Sequence, residues 1–164
     1  MEIERKFRLE RFPEQLPLLE KSVVCQGYLS TRPAVRIRSS EKNGQMSYIL
    51  CIKGKGTLVR EEVELPLEED TFLRLKNLLP GEMIRKDFRV YQLPDGNRLE
   101  CSLVDEGTPT AFFYAEVEFE SVEKANTFLP PDFLGEDITE LPGSSMSAYW
   151  EKTRLVEKLD CNKG

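Results

Sequence analysis

The stretch "MEIERKF", residues 1–7, decides how the rest of the chain is read. As a β-strand it alternates faces, so Glu2, Glu4 and Lys6 share one side while Ile3, Arg5 and Phe7 share the other. Two carboxylates and an amine then stand in a row. Such a row is either a solvated edge strand or one wall of a site that takes cations and a polyanion.

The same texture recurs downstream. Period-two alternation marks 2–9, 34–38, 47–53, 60–65, 84–91, 98–104 and 113–120, and "VCQGYL" at 24–29 is a further strand. Short polar or Gly/Pro connections join these roughly eight strands, which predicts antiparallel pairing. "LPDGNRL" at 93–99 is a hairpin turning on Asp95-Gly96. Helices are predicted in "EEDTFLRLKNLLPG", with Phe72, Leu75 and Leu79 as its stripe and Pro80-Gly81 as its stop. "SVEKANTFL" is another, capped by Ser121, with Val122, Ala125 and Phe128 or Leu129 inward. A third runs through Met146, Tyr149, Trp150 and Thr153, where Tyr149 and Trp150 are read as core. Pro13–Leu19 suggests a short helix, and "LDCNKG" a fraying end.

On strand after strand, one face is charged. "VRIR" sets Arg36 and Arg38 against Val35 and Ile37. "LCIKG" sets Cys51 and Lys53 against Leu50 and Ile52. "REEVEL" aligns Arg60, Glu62 and Glu64, "RLEC" adds Glu100, and "AEVEF" aligns Glu116 and Glu118. An antiparallel sheet with one wet face reads the same way. Two features count against that reading. The charged faces are nearly pure Glu, Arg and Lys, without the usual Thr, Ser and Gln. The signs also segregate, with acids on the first, fifth and eighth strands and bases on the third and fourth. Carboxylates two positions apart lie about 6.6 Å from each other and repel by about 2.5 kcal/mol at an effective dielectric near 20. Several such pairs facing one enclosed space require cations. All-carboxylate ligation suits Mg²⁺ or Mn²⁺, and the neighbouring Arg and Lys suit phosphate oxygens.

Composition narrows the classes. The chain has 164 residues, 40% apolar and 32% charged, with a net charge of −6. That fits one domain over 1–164. It argues against a nucleic-acid surface and a polybasic membrane anchor. No apolar run is long enough for a transmembrane helix, and the first residues lack a secretory h-region. The four cysteines are far apart and form no C-x-x-C pair, so free thiols in a reducing cytoplasm are expected. Histidine is absent, which excludes Ser-His-Asp and Cys-His nucleophiles and a histidine base. "GKGT" at 54–57 lacks the full P-loop spacing and context.

The charged motifs resemble the CYTH domain, also called the triphosphate tunnel metalloenzymes. The hallmark E-x-E-x-K is Glu2-Ile3-Glu4-Arg5-Lys6. "VRIR", "YILCIKGKG", R-x-E-x-E at 60–64 and "AEVEF" at 115–119 follow in the family's order, with weaker agreement in "DITELPGSSMSAYW". The resemblance covers about positions 2–119. It implies a mainly-β α+β fold: an eight-stranded antiparallel barrel, or tunnel, with a charged interior and a few flanking helices. It further implies that Lys6, Arg36, Arg38 and Lys53 hold phosphates, with Lys86 at the family's sixth-strand lysine, and that Arg60 either joins them or pairs with a glutamate. Glu2, Glu4, Glu64, Glu116 and Glu118 would carry the metal. Glu4, Lys6, Glu62 and Glu100 would serve catalysis. Two departures stand out. The family's K-x-R on the sixth strand is Lys86 followed by Phe88, so Arg85 or Arg89 would have to substitute through a bulge. The family's W-E-x-D on the seventh strand ends here in Ser102. The function implied is metal-dependent hydrolysis of a triphosphate, foremost inorganic tripolyphosphate. The alternatives are an adenylate cyclase of class IV type, a thiamine or nucleoside triphosphatase, and a binding module without turnover. The partner is a triphosphate-containing small molecule, with neither nucleic acid nor membrane, and the chain is expected as a monomer or homodimer.

Overall fold

The computed structural model describes residues 1–155; the stretch "LDCNKG", with Cys161, lies outside the described residues. Nine strands form the sheet: β1 (Glu2–Leu9), β2 (Leu18–Thr31), β3 (Ala34–Lys42), β4 (Gln45–Lys53), β5 (Val59–Arg60), β6 (Glu62–Pro66), β7 (Ile84–Gln92), β8 (Arg98–Val104) and β9 (Phe112–Glu118). Their order is β5-β1-β9-β8-β7-β2-β3-β4-β6, and every pairing is antiparallel. The predicted strand at 60–65 is split at Glu61. Its first piece pairs with β1, Glu2 opposite Arg60. Its second pairs with β4, Lys53 opposite Glu62. One continuous stretch thus joins the two ends of the sheet and closes it into a barrel, removing both free edges. Nine strands in place of eight is this split and nothing more.

Closure also explains the "GKGT" loop. Gly56 has φ 133°, and a Cβ there would lie 2.2 Å from the Val59 carbonyl oxygen. Only glycine fits the turn that feeds β5.

The expected helix at 13–19 does not form. Pro13–Leu16 makes a turn, and β2 already begins at Leu18, far before the predicted 24. Pairing on both flanks, with β3 and β7, outweighs the local signal. The hairpin at Asp95-Gly96 is present, with Gly96 at φ 90° and the Leu93 N–H donating to the Asn97 carbonyl.

Outward-facing apolar residues form the main core. Phe7, Leu99, Cys101, Ala115 and Val117 are fully buried beneath Ala125, Phe128 and Leu134. These last three come from α2 (Val122–Thr127) and the loop after it. The Ser121 hydroxyl caps α2 by accepting from the Lys124 N–H. Val122 and Leu129, expected inward, are exposed, because so short a helix presents only Ala125 and the following Phe128 to the sheet. Helix α1 (Glu69–Lys76) lays Phe72 on Tyr48 at 4.8 Å between ring centres. It ends before the predicted Pro80 stop; Leu79 instead packs where a side chain on Gly27 would sit.

The C-terminal helix α3 (Met146–Trp150), continued by a π-helical turn at Glu151–Leu155, stops one end of the barrel. Met146 and Trp150 pack on the inward-facing Tyr28, Ile84, Val104 and Tyr114. Asp105 locks this helix in place. It accepts from Arg154 at 2.6 and 3.1 Å, from the Tyr149 hydroxyl at 2.5 Å and from the Arg85 N–H at 3.1 Å.

Candidate active site

Inside the barrel lies a cavity of about 1560 Å³. The period of two along each strand decides what faces it. From β1 come Glu2, Glu4 and Lys6; from β3, Arg36 and Arg38; from β4, Lys53. Arg60 of β5, Glu62 and Glu64 of β6, Lys86 of β7, Glu100 of β8, and Glu116 and Glu118 of β9 complete the wall. Residues from eight strands thus meet, as the sequence pattern requires of a closed sheet with its apolar face outward.

Arg85 is the exception. It is exposed and does not line the cavity. The β7–β8 register runs without a bulge, so Arg85 keeps the opposite parity to Lys86. Arg89 is also turned away, bonded to Asp87 at 3.1 Å. No arginine replaces the one expected at Phe88. Phe88 and Ser102 both line the cavity and stand directly opposite each other. The two departures from the family pattern therefore form one neutral pair.

The acids are crowded by the register itself. Glu4 lies opposite Glu118 and Glu100 opposite Glu116, arrangements that destabilise a ladder unless compensated. Burial, then the neighbouring Glu116, pushes the Glu4 carboxyl far up, to about 10. Burial also opposes ionisation of Glu116, but the hydrogen bond from Glu4 and the nearby Lys6 and Lys86 ammoniums hold it low. The two share one proton. Burial, with Glu116 and Glu118 beside it, pushes Glu100 up to about 7. Glu2 and Glu118 are raised as well, first by burial. A set of crowded carboxylates that holds protons in this way fits a hard divalent cation, which would take the protons' place. Cys51 faces inward too, its Sγ 3.6 Å from Glu62 Oε1. The ligand atoms of Cys51, Glu62 and Glu64 all lie within 4.8 Å of one another.

The bases divide into two sets. Lys53 Nζ sits 3.2 Å from both oxygens of Glu2, and Arg60 Nε lies 3.6 Å from the same carboxylate. Lys6, Lys86, Arg36 and Arg38 have no carboxylate partner among the described residues. Lys6 donates to the Ser144 carbonyl at 2.6 Å, and Lys86 to the Tyr114 hydroxyl at 2.5 Å. The buried Arg36 Nε has no partner. Burial, then the adjacent Arg36, lowers Lys86 well below its ordinary value. Lys86 is buried and the other three are partly so, and cations withdrawn from water without a counter-charge are costly unless an anion joins them.

Several residues of the wall escaped the sequence reading: Tyr28, Tyr114, Ser144 and the rest of the segment 139–147. Tyr114 was within reach, since it precedes Glu116 and Glu118 on the same parity. The segment 139–147 carries no strand parity; its one signal is the weaker family agreement of "DITELPGSSMSAYW", and the packing of α3 brings it to the cavity.

No family model matches the chain. It is 34% identical over 139 residues to the inorganic triphosphatase of Nitrosomonas europaea strain ATCC 19718, covering 85% of this chain and 89% of that protein. The crystal structure of the inorganic triphosphatase NE1496 matches with TM-score 0.63 and 28% identity, over 91% of this chain and 93% of the other. A Hippeastrum protein with a dominant triphosphatase activity shares the fold at TM-score 0.57 and 17% identity, over 77% of this chain and 83% of the other.

Proposed function

The chain belongs to the CYTH family of triphosphate tunnel metalloenzymes, and from that premise we propose that it hydrolyses inorganic tripolyphosphate with Mg²⁺ or Mn²⁺ as cofactor. The observation that carries this reading is the coexistence, in one cavity, of clustered carboxylates and of cations without carboxylate partners among the described residues. The first set calls for a metal and the second for an anion of high charge density. A triphosphate with its counter-cation satisfies both.

Arg36, Arg38, Lys6 and Lys86 bind the phosphate oxygens, Arg36 through its free Nε. Lys53 and Arg60 neutralise charge while holding Glu2 in place. Glu2, Glu4, Glu64, Glu116 and Glu118 would hold the divalent cation, which when bound draws electron density from the phosphoryl oxygens. A water oxygen attacks the terminal phosphorus in line, the P–O–P bond breaks, and pyrophosphate leaves. Glu100 or Glu62 takes the proton from the water. Glu100, held near neutrality by burial, has a proton affinity suited to that step. Lys6 stabilises the charge that grows on the transferring group.

Purified protein is incubated with tripolyphosphate, ATP or thiamine triphosphate in the presence of Mg²⁺ or Mn²⁺. Release of phosphate and pyrophosphate from tripolyphosphate, in preference to the others, is the expected result. Cyclic AMP and pyrophosphate from ATP would replace this reading with a cyclase. Thermal stabilisation by tripolyphosphate without product would replace it with a binding module. No helix among the described residues is long and apolar enough to cross a membrane.

A further inference from the structure

Tyr114 sits where the apolar stopper of the barrel meets the charged cavity. It belongs to the cluster with Met146, Trp150, Tyr28 and Ile84, yet it also lines the cavity and is only 2% exposed. Its hydroxyl accepts from Lys86 Nζ at 2.5 Å. Its ring lies under Lys6 Nζ at 4.4 Å from the centroid. One phenol therefore contacts two ammonium groups that have no carboxylate of their own among the described residues. A carboxylate in its place would neutralise them. A phenol oxygen and a π face stabilise a cation without cancelling its charge.

We propose that Tyr114 is a positioning residue, holding Lys6 and Lys86 side by side as a charged clamp for one end of the bound polyphosphate. The wall behind the pair is closed by Met146 and Trp150, so an anion reaching both amines presents its terminus rather than its middle. The ammonium of Lys86, a residue 7% exposed, has the Tyr114 hydroxyl as its one hydrogen-bond partner among the described residues. The neutral pair Phe88 and Ser102 lies in the same cross-strand row as Tyr114, and brings no charge that could hold either amine.

This inference rests on the triphosphate reading of the cavity, and the test separates the two. Tripolyphosphate affinity, by calorimetry with Mg²⁺ present, and steady-state kinetics are measured for wild type, Tyr114→Phe, Lys86→Met and the double variant. Tyr114→Phe is expected to weaken affinity and raise KM about tenfold with kcat changed less than about threefold, because a charge-assisted contact is lost while the ring remains. In the Lys86→Met background the same change is expected to add less than about twofold, since both substitutions cut one contact. Tyr114→Leu, which also removes the π face, is expected to be worse than Tyr114→Phe. Unchanged affinity in Tyr114→Phe or in Lys86→Met overturns the proposal, as does an equal loss from Tyr114→Phe in both backgrounds. A wild type that neither binds nor hydrolyses tripolyphosphate overturns the functional reading and this inference with it. Wild-type binding with an unaffected Tyr114→Phe overturns this inference alone.

Discussion

Glu100 faces Glu116 directly across the β8–β9 ladder, and neither carboxylate forms an ion pair among the described residues. A barrel that keeps such a pair is giving up stability to hold a site ready. The cost has a pH signature. Glu100 is pushed up to about 7 from an ordinary 4.5 by burial and its acidic neighbours. Its folded form therefore binds a proton more tightly than the unfolded chain does. The stability this contributes is complete below about pH 4.5 and has been lost once the pH passes about 7. It amounts to about 3 kcal/mol. Thermal melts of metal-free protein between pH 5 and 8 should show stability falling across that window. Glu100→Gln should flatten the slope, and an unaltered slope in that variant would refute the assignment.

Added Mg²⁺ should act in the opposite direction. The proton shared by Glu4 and Glu116 must leave before a cation is held, so metal affinity should rise with pH and binding should release protons. Calorimetry in buffers of different ionisation enthalpy reads this release directly. Glu116→Gln should raise the metal concentration for half-maximal activity at least about tenfold. A metal titration identical to that of wild type counts against Glu116 as a ligand.

Lys53 and Glu2 make a buried ion pair between β4 and β1. Lys53→Ala leaves Glu2 with Arg60 alone, at 3.6 Å. Removing one partner of a buried pair costs about 3–5 kcal/mol, and the remaining arginine should hold the loss toward or below the lower end. The KM for tripolyphosphate should also rise about tenfold. Denaturant melts and kinetics on one preparation test both effects, and normal values for each would show that Lys53 has neither role.

Arg36 and Arg85 offer a paired control. Arg36 is partly buried and its Nε, buried on the cavity side, has no partner, whereas Arg85 is exposed on the other face of β7. Arg36→Met should reduce kcat/KM by two orders of magnitude or more, as expected for a lost charge-assisted contact to substrate. Arg85→Ala should leave it within about twofold. A reversal of that order would place the anion outside the barrel.

How much of this was legible from the chain follows from the same geometry. Strand parity is local: each residue's face is set by its neighbours two positions away, so Glu2, Glu4 and Lys6, or Glu116 and Glu118, could be assigned to one surface from the sequence. Parity extended to Tyr114 as well, although no charge drew attention to it. Where the surfaces point was not local. That the charged faces enclose a cavity depends on the break at Glu61, which lets one stretch pair with both β1 and β4, and a break of that kind leaves no compositional mark. Nor does local pattern reveal that α3 stops one end of the barrel through Asp105 and Arg154, 49 residues apart. The sequence determined which side chains travel together. The tertiary structure decided which of them meet, because cross-strand register and barrel closure are set by long-range hydrogen bonding and the packing of apolar faces.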